Sequence, residues 1–150
     1  MTAATAAQNG KKTMRVGDIV NAYNVLKTLK IAKLPREDQF AVLRASRALK
    51  PVATAFDDFV NDARERLKPE DFDTIVEKSQ RFDSLPEEEK VRVNMAARAY
   101  QNDVDECVRE EYEKAVDVDA FDSLSEEALS GIATGNDTLD VQTLLLLESL

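Results

Sequence analysis

The chain has 150 residues and 16.7 kDa, room for one ordinary domain with a single core. Its 43% hydrophobic and 33% charged residues fit a folded protein, and four Gly with four Pro are too few turn residues for a many-stranded sandwich or barrel. A net charge of −9 disfavours generic attraction to phosphate backbones or anionic membranes, and a lone cysteine, Cys107, excludes an intrachain disulfide and points to a reducing cytoplasm. With no histidine, Ser-His and Cys-His activation and His-containing zinc sites are excluded.

Residues 1–13 lack periodicity and read as a disordered tail, leaving residues 14–150 as a single all-α domain. The first amphipathic run follows Asp18, a candidate cap, and repeats as Ile19, Ala22, Tyr23, Leu26 and Leu29, which predicts a helix ending near Lys33. Three later segments share one start signal, proline followed by acidic residues: Pro35-Arg36-Glu37, Pro69-Glu70-Asp71 and Pro86-Glu87-Glu88. After Pro35, Phe40, Leu43 and Ala48 form one face, and after Pro51 it resumes as Val52, Phe56, Phe59 and Ala63. A proline ring opposes the preceding helical turn, so two helices are expected to meet near Lys50.

Phe72, Ile75, Val76 and Phe82 define a shorter helix over residues 69–81. The longest uninterrupted pattern follows over 86–116, with Val93, Ala97, Tyr100, Val104, Cys107 and Val108 on one side and carboxylates on the other. The fragment Phe82-Asp83-Ser84-Leu85-Pro86-Glu87-Glu88 reappears as Phe121-Asp122-Ser123-Leu124-Ser125-Glu126-Glu127, the same way of starting a helix used twice. In the second copy Ser125 caps and Leu124 staples to Leu129, which predicts a helix over 125–133 stopped by Thr134-Gly135-Asn136-Asp137. Four consecutive leucines leave residues 138–150 without a period, and composition favours a final helix over a strand. The expected fold is therefore all-α, an irregular helical bundle of about six helices around one long helix. No apolar run approaches the ~20 residues needed to cross a bilayer, so no membrane partner is expected.

Chemistry-bearing clusters are few. Asp117-x-Asp119-x-x-Asp122 resembles a hard-cation spacing, but an EF-hand loop begun at Asp117 places Asp122 where glycine belongs and Ala128 where the bidentate glutamate belongs. It reads as a solvated acidic linker, with a carboxylate-based metal enzyme as the alternative. No metal or other cofactor is expected. With acidic neighbours Asp105 and Glu106, Cys107 lacks the electropositive setting of a reactive thiolate, which removes it as a nucleophile and leaves it a small hydrophobe.

Charge distribution is more informative. Residues 1–50 hold ten Lys or Arg and three Asp or Glu, whereas residues 51–150 hold ten and twenty-six. Lys27, Lys30 and Lys33 fall on the first predicted helix; Arg44, Arg47 and Lys50 step along the next. Glu106, Glu110, Glu111 and Glu113 lie along the long acidic pattern. The candidate interaction surface is therefore Glu106, Glu110, Glu111 and Glu113 with Lys27, Lys30, Arg44 and Arg47. The competing reading packs the basic helices beside the long acidic one and neutralises both within the molecule.

A short helix through Val20 and Leu26, a second helix dotted with Lys and Arg, a long acidic helix and a leucine-rich end resemble small phage-encoded all-α proteins of unknown function. The resemblance spans residues 16–150, carries over no functional residue, and implies a virion-associated or accessory role in a bacterial cytoplasm. The expected function is a non-enzymatic protein-interaction or assembly module, by self-association or with a protein partner, and not with nucleic acid. The alternative is an acidic inhibitor that mimics nucleic acid to block a host defence or nucleic-acid enzyme.

Overall fold

A computed structural model describes residues 10–150. The first ordered segment is not a helix. Lys11–Arg15 (β1) and Ala115–Asp119 (β2) pair antiparallel, in the register Lys11↔Asp119 through Arg15↔Ala115. Both strands alternate: Lys12 and Met14, Val116 and Val118 turn toward the protein while their neighbours stay wet. Of the expected tail, residues 1–9 lie outside the described part and Lys11, Lys12 and Thr13 belong to β1. The supposed acidic linker supplies its partner strand.

Six α-helices complete the described residues: α1 (Val16–Leu26), α2 (Arg36–Arg66), α3 (Phe72–Gln80), α4 (Glu87–Tyr112), α5 (Glu126–Gly135) and α6 (Val141–Glu148). The fold is mainly all-α, with the two-stranded ribbon as its one β element among the described residues. None of these helices is long and apolar enough to cross a membrane. The chain divides into two compact units, Met1–Phe56 with Glu113–Leu150, and Asp57–Tyr112; α2 contributes to both.

In the first unit, α1 buries Ile19, Ala22 and Leu26, α2 buries Val42, Ala45 and Leu49, and β2 adds Val118. Leu124, Ala128, Ile132, Leu147 and Leu150 close this core from the C-terminal segment. Helix α1 starts directly from β1, with Arg15 as N-cap, and ends at Leu26, not near Lys33. Asp18 does not cap it; from the first turn it pairs with Arg15 at 2.9 Å. The chain from Lys30 to Leu34 is instead drawn against α5 by Asn136, which is only 9% exposed. Its Oδ1 accepts from the Lys30 N–H at 2.8 Å, and its Nδ2 donates to the carbonyls of Lys30 at 3.1 Å and Ile132 at 2.9 Å. These bonds take the place of a further helical turn.

Helix α2 runs unbroken through Pro51, where two helices were expected. An interior proline removes one backbone donor and costs roughly 3 kcal/mol in an isolated helix. Leu49 and Ala53, one turn apart on either side, are both buried, so a break would cost burial as well. Pro51 and Arg47, whose carbonyl loses its donor, are both exposed to water. At 31 residues α2 is also longer than the 26-residue α4, which ends at Tyr112 because the chain turns there into β2.

The second unit has a smaller core, Ile75, Leu85 and Val93 with Phe82 and Ala96 against them. The Phe72 and Tyr100 rings meet edge to face, centroids 5.2 Å apart, and the Tyr100 hydroxyl donates to the Arg64 carbonyl at 2.6 Å. A 3₁₀ turn, Phe82–Ser84, leads into α4.

Candidate docking surface

The alternation of charge along the chain does not survive folding as a simple dipole. The first unit holds eleven Lys or Arg against twelve Asp or Glu, and the second holds nine against seventeen. The basic first fifty residues are thus offset by the acidic residues 113–150, brought back by the ribbon. Lys11 pairs with Asp119 at 2.7 Å and Arg15 with Glu113 at 2.9 Å. These bonds raise the pKa of Lys11 through its hydrogen bond to Asp119, and that of Arg15 through those to Asp18 and Glu113. Lys12 sits 4.5 Å over the Phe121 ring and donates to the Leu150 carbonyl, and burial pushes its pKa down.

Those pairings settle several expected site residues. Glu113 is taken by Arg15. Asp117 accepts from the Thr13 hydroxyl at 2.8 Å, so two of the three carboxylates with cation-like spacing serve the ribbon. Among the described residues no group of three or more His, Cys, Asp or Glu comes together to hold a metal. Lys27, Lys30 and Lys33 do not share a helix. Lys27 lies just beyond α1, 5.6 Å over the Tyr23 ring. Lys30 and Lys33 line, with Ile31, Leu34, Gly131 and Gly135, a pocket of about 430 Å³. A Cβ on Gly131 would lie 2.4 Å from the Leu34 Cδ2 methyl, so a larger residue there requires that side chain to shift.

On α4, Glu106 and Glu110 are exposed and Glu111 is half-buried. They belong to the second unit, whereas Lys27, Lys30, Arg44 and Arg47 belong to the first. The acidic row is not continuous, because Arg92, Arg98 and Arg109 are exposed on the same helix. Cys107 is half-buried, with the Arg66 guanidinium 3.5 Å from its sulfur, so it is not the simple core residue expected.

Arg44 and Arg47 remain, and their surroundings are distinctive. Opposite the buried Val42, Ala45 and Leu49, three- and four-residue steps place Arg36, Phe40, Leu43, Arg47 and Lys50 along the outer side of α2, with Arg44 one turn from Phe40. Phe40 is 49% and Leu43 43% exposed. Among the described residues none of Arg36, Arg44, Arg47 and Lys50 makes an ion pair or side-chain hydrogen bond. Sequence reading placed Phe40 and Leu43 in the core, because apolar side chains three apart fit either face until Val42 and Ala45 are seen to occupy the inner one. What it missed is that these two side chains complete the site.

Comparison with protein families, curated proteins and solved structures finds no match for this chain.

Proposed function

We propose that the protein is a non-enzymatic protein-interaction module, and that it docks an acidic partner surface on the outer side of α2. The observation that carries this reading is the exposure of Phe40 and Leu43 among four unpaired cations. Large apolar side chains ringed by charge provide the desolvated centre and polar rim of a protein interface, and arginine is enriched at such centres. A nucleic-acid ligand is less well supported, since the same unit is close to neutral overall and phosphate binding draws on a broad positive field. A nucleic-acid mimic is disfavoured by the arginines that interrupt the carboxylates of α4. The lone cysteine suits a reducing cytoplasm, and the resemblance to phage-encoded helical proteins would make such a module virion-associated or accessory.

The test is affinity capture from a nuclease-treated lysate with the full chain and two variants, Arg44→Glu/Arg47→Glu and Phe40→Ser/Leu43→Ser. Acidic proteins held by the parent, released by moderate salt and lost by both variants are expected. Material equally retained by the variants, or sensitive to nuclease, would overturn the reading.

A further inference from the structure

The partner class can be narrowed by asking what surface of this chain would complement the α2 face. The second unit also carries two large exposed apolar side chains one helical turn apart, Val91 at 55% and Met95 at 67% exposure, on the first half of α4. Glu87 and Glu88 lie one turn before them on the same side, both exposed, Glu88 without an ion pair among the described residues and Glu87 held by Lys90 at 3.4 Å. Reading α4 from C- to N-terminus gives Met95, Val91, Glu88, Glu87. Reading α2 from N- to C-terminus gives Phe40, Leu43, Arg47, Lys50. At ~1.5 Å per residue, alignment of Met95 with Phe40 sets Val91 about 1.5 Å from the level of Leu43, Glu88 level with Arg47, and Glu87 about 3 Å from Lys50.

We infer that a second copy of this chain docks on α2, its α4 running antiparallel with Val91 and Met95 against Leu43 and Phe40, and Glu88 and Glu87 against Arg47 and Lys50. This rests on the reading of the α2 face as a docking surface and names its occupant. Charge complementarity selects the direction, because parallel alignment with Val91 at Phe40 and Met95 beside Leu43 sets Arg98 level with Arg47 and leaves only Arg36 facing Glu87 and Glu88. The antiparallel register contains two like-charged pairs, Arg36 with Arg98 and, along one flank, Arg44 with Arg92; these keep the association reversible and supply a test in the strengthening direction. The contact joins two different surfaces, so copies associate either as a reciprocal pair or as an open chain.

Sedimentation of the full chain across concentration and salt is the measurement. Association that weakens with salt is expected. Arg47→Glu or Glu88→Arg alone should weaken it about tenfold or more, and the two together should restore most of the loss. Arg98→Glu should strengthen it several-fold. Circular dichroism on each variant separates loss of association from loss of folding, and all these substitutions are on exposed positions. A monomer at every concentration and ionic strength, or single variants whose effects do not recover in the double, would overturn the proposal. If association is lost in Arg47→Glu yet unaffected by Glu88→Arg and Arg98→Glu, α2 remains a docking surface and α4 is not its occupant. If neither α2 nor α4 variants alter an association that persists, both this proposal and the docking role of α2 fail.

Discussion

The two units use one local device in opposite settings. Phe82-Asp83-Ser84-Leu85-Pro86-Glu87 and Phe121-Asp122-Ser123-Leu124-Ser125-Glu126 both bury their leucine and half-bury their phenylalanine just before a helix begins, at Glu87 and at Glu126. Leu85 joins a core whose other buried members, Ile75 and Val93, are within ten residues of it. Leu124 joins a core assembled from α1, α2, β2, α5 and α6, with partners as distant in sequence as Ile19. The same short sequence is therefore the hinge of a locally closed unit in one place and a brick in a long-range one in the other. Local closure costs little loop entropy but buries little, whereas the first unit must close long loops and is repaid with a larger core.

That comparison can be broken most directly in the first unit. Ile132→Ala, at a fully buried position, should lower stability by about 3 to 4 kcal/mol in denaturant unfolding. A loss under about 1 kcal/mol would mean the long-range core is not what holds this unit.

Asn136→Ala should cost about 2 kcal/mol, because it removes part-buried bonds to Lys30 and a buried one to Ile132 and leaves those backbone groups without this partner. Amide exchange at Lys30 should accelerate more than exchange elsewhere in the unit, and unchanged exchange there would rule out the clamp.

In the second unit, Tyr100→Ala should cost about 2 kcal/mol, less than a fully buried aromatic, since the ring is half-buried against Phe72. Tyr100→Phe should cost only about 1 kcal/mol, the bond to the Arg64 carbonyl. Equal losses in the two variants would assign the ring no packing role.

The smallest effect concerns acid. Asp140 caps α6 by accepting from the Thr143 N–H at 2.8 Å, and this bond holds its carboxyl below the ordinary aspartate value. A depressed folded pKa means the stabilisation is complete above the ordinary value and fades as pH falls through the folded one. Asp140→Asn should flatten that part of the acid limb and leave neutral-pH stability nearly unchanged, since Asn also caps well. An unaltered acid limb would show that the cap contributes no pH dependence.

Much of the fold was legible because helix starts are local events. Ser125 accepts from the Ala128 N–H at 3.1 Å as its position before Glu126 implies, and helices begin immediately after Pro35 and Pro86. The ribbon was not read, although Ala-Val-Asp-Val-Asp alternates over residues 115–119, because a strand of five residues has no identity until its partner is known. The acidic side chains drew attention as a cation site and hid the alternation. Of the basic residues, Arg44 and Arg47 lie exposed on one helix, as their spacing implies, whereas Lys27, Lys30 and Lys33 do not share one, since the helix meant to align them gives way to the Asn136 clamp.

What the amino-acid order determined by itself was helix content, the helix starts at Pro35, Pro86 and Ser125, and the separation of charge into a basic beginning and an acidic remainder, because these depend on neighbours within a few residues. Only the tertiary structure decided that α2 passes through Pro51, that residues 113–150 return to neutralise the first fifty, and that Phe40 and Leu43 face outward. Each of those outcomes turns on burial against segments far away in the chain, and burial is a property of the assembled surface that no local window contains.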